Sequence, residues 1–131
     1  MYVVTGADNL AKLDECTKCR YGAQLAFVFG YETSEAATHD PARFNGGTFF
    51  EFGDQDTISA LLHTALKATD LGLATCWLGA INDDKLHEVF AIPSSVNIRA
   101  VLVCGTPDPE KGGASPMHTK RRPAEETIIW L

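Results

Sequence analysis

Three short stretches of this chain carry residue types suited to chemistry. "HTKRRP", near the C-terminal end, sets Lys120, Arg121 and Arg122 side by side, three of the eleven Lys+Arg residues in a chain of formal net charge -6. Arginine grips phosphate through two parallel hydrogen bonds and lysine adds a point charge, so the triplet suits a small local anion. A run of charge equally suits a solvated face. "GLATCWLGAI", residues 72–81, places Gly79 and Ala80 just after the bulky Trp77. Small residues let another group approach the backbone, whose N–H groups could serve a flat ligand. A plain turn has the same composition. "ECTKC" holds Cys16 and Cys19 in a C-x-x-C, which reads as a redox dithiol or half a zinc site. A redox pair wants to open a helix, where the helix terminus lowers a thiol's pKa; this pair closes a predicted one. A four-ligand zinc site needs a second pair, and Cys76 and Cys104 lie far apart in sequence. Ordinary thiols are the expectation, with no metal site. No HExxH, P-loop, GxSxG or GxGxxG occurs, and no nucleophile–base pair stands out, so no catalytic side chain is assigned.

Composition narrows the classes. At 131 residues, 45% hydrophobic and 21% charged, the chain has the make-up of one folded domain spanning residues 1–131 rather than a disordered segment. No run of eighteen apolar residues exists, which argues against a membrane span. "MYVVTGADN" lacks the basic and apolar regions of a signal peptide, and the expected compartment is the cytoplasm. The acidic balance argues against nucleic acid, which needs a broad basic footprint.

The elements that must position these residues follow from pattern. Residues 2–5 read as a strand. "GADNLAKLDECTK" reads as a short helix with Asp8 as N-cap and Leu10 and Leu13 one turn apart. "QLAFVFGYE" is apolar on both faces, the mark of a central strand. Residues 33–53 form a long Pro/Gly/Asn loop of the kind that carries function. In "DQDTISALLHTALKATDLG", Ile58, Leu61, Leu62, Ala65 and Leu66 draw one apolar stripe; Asp54 or Asp56 caps the start and a left-handed Gly72 the end. His63 falls off the stripe and is expected at a surface or interface. "LATCWLGAI" begins as a short strand. "NDDKLHEVFAI" is a helix capped by Asn82 or Asp83, packed by Leu86, Val89 and Phe90, stopped before Pro93, with His87 facing solvent. "VNIRAVLVCG" is an apolar strand, and "PAEETIIWL" ends the chain. The order β-α-β-loop-α-β-α-β-tail predicts an α+β or α/β sandwich around one sheet.

Taken in sequence, "DLGLATCWLG", "VFAIP" and "VLVCGTP" resemble the second half of the nitroreductase-like flavoprotein family. "KRRPAEETIIW" is similar to that family's basic tail, and "ECTKCRYGAQLAFVFGYE" and "MYVVT" look like one small-enzyme branch of it. The resemblance covers nearly all of the chain. It implies an α+β sandwich with a central mixed sheet flanked by helices. It also implies an intertwined homodimer with FMN at its interface, passing hydride from NADH or NADPH through flavin N5 to a nitroaromatic, quinone or similar acceptor. The backbone of Gly79 then lies near N5, with Trp77, Leu78 and Ala80 lining the turn. Lys120 and Arg122 match the family's phosphate contacts, with Arg121 turned away between them, and the loop at 33–53 shapes the acceptor pocket. The family's pattern opens with two helices bearing an Arg-Ser-Arg phosphate motif, and nothing here matches them. The expectation is therefore an N-terminally truncated member; the alternative is a non-catalytic, dimer-forming remnant that no longer holds flavin well.

Overall fold

A strand that is apolar on both faces must be covered on both. The computed structural model, which describes residues 1–33, 52–110 and 119–131, gives β2 (Leu25–Glu32) that cover. β2 lies between β1 (Tyr2–Val4) and β4 (Val96–Gly105), and β3 (Ala74–Leu78) pairs with the far side of β4. All three pairings are antiparallel, so the described strands do not form the mixed sheet the sequence suggested. Helices pack on both faces. Ala26, Val28, Val101 and Val103 point to one core, shared with Leu10 and Leu13 of α1 (Ala7–Cys16) and Leu86 of α3 (Asp83–Phe90). Phe29, Ala100, Leu102 and Cys104 point to the other, shared with Leu61 and Ala68 of α2 (Phe52–Asp70). The result is an α+β sandwich with the sheet between two cores.

One irregularity lets β4 serve both cores along its length. Phe29 pairs with Ala100, but the next residue, Gly30, pairs with Ile98, so Arg99 is an extra residue on β4. A bulge of this kind shifts the two-residue alternation by one. Ile98 and Val96 thereby join Val101 and Val103 in the same core. Gly30 fits here because a Cβ on it would stand 2.6 Å from the Asn97 carbonyl oxygen. Arg99 turns outward, its Nε 2.9 Å from Asp54 Oδ1, an ion pair not aligned as a hydrogen bond.

The helix ends follow local chemistry, with some corrections. α1 starts after Gly6 at φ 80, with no side-chain cap; Asp8 lies inside the first turn, where its charge suits the helix dipole. α2 already runs from Phe52, so Asp54 is a first-turn residue and Asp56 lies deeper. Gly72 adopts φ 78 and closes α2 as expected. Asn82 caps α3, its side chain accepting from Lys85 N–H at 3.0 Å. α3 ends at Ala91 with φ 50, before Pro93. His87 is half-buried rather than solvent-facing, with Nδ1 3.0 Å from the Ile92 carbonyl oxygen, because the chain folds back over it after Ala91. The apolar stripe of α2 also divides. Thr57, Leu61 and Ala68 are buried, whereas Leu62 and Leu66 stay exposed, since the sheet covers a narrower face than the sequence pattern offers. The tail carries a short helix, α4 (Ala124–Thr127).

Candidate functional site

The most built-up polar arrangement lies where the end of α1 meets the end of β3. β3 is an edge strand, and its outer residues are uncovered. Trp77 is 50% exposed, Leu78 is buried at 3%, and Gly79 and Ala80 are exposed. A Cβ built on Gly79 meets no described residue within 4 Å. Behind this turn stands the "CTKC" segment. Thr17 Oγ1 donates to the Ala80 carbonyl oxygen at 2.8 Å and accepts from Cys19 N–H at 3.1 Å. Asn82 N–H donates to the Cys16 carbonyl oxygen at 2.9 Å. Two shallow grooves flank the strip from Cys76 to Asn82. One, of about 600 Å³, is lined by Tyr21, Thr75, Cys76, Gly105 and Thr106 among others. The second, of about 390 Å³, is lined by Cys16, Thr17, Cys19, Ala80 and Ile81 among others.

Two of the four cysteines, Cys16 and Cys104, are buried. Cys16 does close α1, as predicted, and is buried; burial pushes its thiol up from the ordinary value. Burial does the same to Cys104 on β4. A reactive thiol needs the opposite shift. Cys76 is exposed on β3, whose register sets it opposite Val103 rather than Cys104. Among the described residues no group of three or more His, Cys, Asp or Glu side chains could hold a metal ion. Tyr21, at φ 55, is exposed, and a hydrogen bond with Cys19 raises its hydroxyl pKa.

The positive charges divide into two kinds. Arg20 is fully engaged: Nε and Nη2 grip Asp14 at 2.7 and 2.6 Å, and Nη1 donates to the Ala23 carbonyl oxygen at 2.7 Å. Lys120 and Arg122 are exposed and form no ion pair among the described residues. Arg121 Nη1 turns to the Lys120 carbonyl oxygen. Residues 119–131 are exposed throughout, and the backbone hydrogen bonds described for them run within the tail. The fold thus joins Ala80, the last residue of the Trp77–Ala80 stretch, to residues 16–19, but no described bond joins Lys120 or Arg122 to that turn. Of the loop expected at 33–53, residues 34–51 lie outside the described residues, as does His118, and Phe52 and Gly53 belong to α2. Sequence reasoning missed Thr17, because a polar residue inside a C-x-x-C gives no sign that it will be buried.

The profile of the nitroreductase family matches residues 9–106, three-quarters of the chain. The chain belongs to the nitroreductase family. A nitroreductase family protein of Clostridium difficile superposes with a TM-score of 0.81 at 26% identity, covering 98% of this chain and 71% of that one. Two more distant structures share the fold. A protein of Desulfovibrio desulfuricans solved in complex with FMN gives a TM-score of 0.72 at 20% identity, over 99% of this chain and 70% of that one. An FMN-dependent nitroreductase of Clostridium difficile gives 0.64 at 19%, over 98% and 72%. This nitroreductase family chain therefore spans about seven-tenths of the length of each. No curated protein matches it. Among its described residues no helix is long and apolar enough to cross a membrane.

Proposed function

We propose that this nitroreductase family chain is a flavin-dependent oxidoreductase that binds FMN at the turn after Trp77. The observation that carries the reading is Gly79: no described residue comes within 4 Å of a Cβ built on it, and it follows β3 within the family-matched region. The residues present suit the group. The exposed indole of Trp77 offers apolar cover, and the backbone N–H groups of Gly79 and Ala80 offer donors. Lys120 and Arg122 supply positive charge that a phosphate dianion would offset. FMN held there would supply the redox chemistry, moving a hydride from NADH or NADPH to a nitroaromatic, quinone or similar small acceptor. The chain's own part is to bind and orient the ring and to neutralise its phosphate.

We also take residues 1–131 as one domain acting in the cytoplasm as a homodimer. Leu62 and Leu66, 53% and 61% exposed along one line of α2, support the pairing, as does Trp130 at 91%. A second reading, a non-catalytic dimer-forming remnant, draws on the same exposed apolar residues. FMN titration followed by fluorescence separates the two. Stoichiometric uptake, with Arg122→Ala weakening it about tenfold and a change at the exposed Lys12, Lys12→Ala, leaving it unchanged, supports the flavoprotein. A chain that stays colourless with excess FMN and reduces no dye with NADPH leaves only the remnant.

A further inference from the structure

We propose that Thr17 is a positioning residue for the cofactor turn, fixing the backbone of Gly79 and Ala80 from behind; this rests on reading that turn as the flavin site. On the outer side, none of the described residues comes within 4 Å of a Cβ built on Gly79. What holds the turn lies on the inner side. Thr17 follows α1 as its extended C-cap residue, with backbone N–H on the Leu13 carbonyl oxygen at 3.1 Å. Its side chain is 5% exposed, one of two buried polar residues among those described. The roles of its hydroxyl are not ambiguous. A carbonyl only accepts, so the proton goes to Ala80 at 2.8 Å; a backbone N–H only donates, so a lone pair receives Cys19 at 3.1 Å.

One residue earlier, the Cys16 carbonyl oxygen receives Asn82 N–H at 2.9 Å, and Asn82 in turn caps α3. The turn is thereby fastened at Ala80 and Asn82 by consecutive residues of α1's end, and at its start by the buried Leu78. Gly79 is the single residue between Leu78 and the Ala80 fastening. The Thr17 bond holds the Ala80–Ile81 peptide plane, so Gly79 and the Ala80 N–H lie between that plane and the buried Leu78. Valine has the shape of threonine without the hydroxyl, so Thr17→Val removes the bond to the Ala80 carbonyl oxygen and the acceptor of the Cys19 N–H. Serine keeps both bonds.

The test uses the full chain as wild type, Thr17→Val and Thr17→Ser, with two readouts. Amide hydrogen exchange without flavin reports the fastening; FMN fluorescence titration reports its use. Thr17→Val is expected to speed exchange of the hydrogen-bonded amides of Cys19 and Asn82 about tenfold, leave residues 96–105 unchanged, and weaken FMN binding about tenfold, while Thr17→Ser stays near wild type in both. Unchanged exchange at the Cys19 and Asn82 amides overturns the proposal, as does a rise spread equally over residues 96–105. Faster exchange with wild-type FMN affinity overturns the cofactor role. Wild-type protein that takes up no FMN sinks the functional reading instead, and the exchange data still decide whether Thr17 holds the turn.

Discussion

Arg20 and Asp14 show how a charged pair near the site is spent on shape. The guanidinium donates to both carboxylate oxygens, and this hydrogen bonding holds the Asp14 pKa below its ordinary value of 3.8. A carboxyl with a lowered folded-state pKa stabilises the fold above its ordinary value. That contribution is lost as pH falls through the lowered one. Asp14→Asn is therefore expected to destabilise the protein at pH 7 by less than about 1 kcal/mol, because exposed pairs are screened by solvent. The difference from wild type should close once the pH is well below 3.8; thermal melts at pH 7, 5 and 3 would show it. A deficit that persists unchanged at pH 3 would mean the pair acts through packing instead. Residues of this kind divide by legibility. Asn82 was readable as a cap because the side chain acts on its own helix three residues on. Thr17 was not, because its partner lies 63 residues away. Asp8 was misread since a glycine at positive φ can start a helix without any side-chain bond.

The strands and helices were legible wherever one residue pattern met one demand. β2 read as central because both its faces are apolar, and it is central. α3 read correctly from its cap and from the proline beyond it. β4 holds what pattern could not reveal: an extra residue that changes which side chains face which core. Its partner strand accommodates that with Gly30. A methyl there would press on the Asn97 carbonyl, so Gly30→Ala is expected to cost roughly 1–3 kcal/mol of stability by denaturant unfolding, as overpacking does. Unfolding at the wild-type denaturant midpoint would show that the two strands part at little cost. α2 was legible as a helix but not in its facing. Five apolar residues suggested one stripe, and the sheet takes only part of it. How wide a face the sheet requires depends on the twist and spacing of strands that no single helix sequence encodes.

The fold as a whole leaves apolar surface that neither core uses. Leu62 and Leu66 are one turn apart on α2, Leu71 is 65% exposed just beyond it, and Ile129, Trp130 and Leu131 are more open still. Replacing Leu62 and Leu66 together by lysine is expected to shift the protein from dimer to monomer in sedimentation, with little change to the β-sheet signal. A double variant that sediments as wild type would move the proposed dimer contact elsewhere. The two regions of the proposed flavin site also differ in kind. The glycine turn is braced by bonds to α1, whereas Lys120 and Arg122 ride on an arm braced by neither core. A molecule that bridges the two must immobilise that arm, and part of the attraction is consumed in doing so. Capture would then behave like a small folding reaction, with a heat-capacity drop larger than the buried ring alone explains. How tightly the nucleotide is retained would depend on the freedom of the last dozen or so residues as much as on their charge.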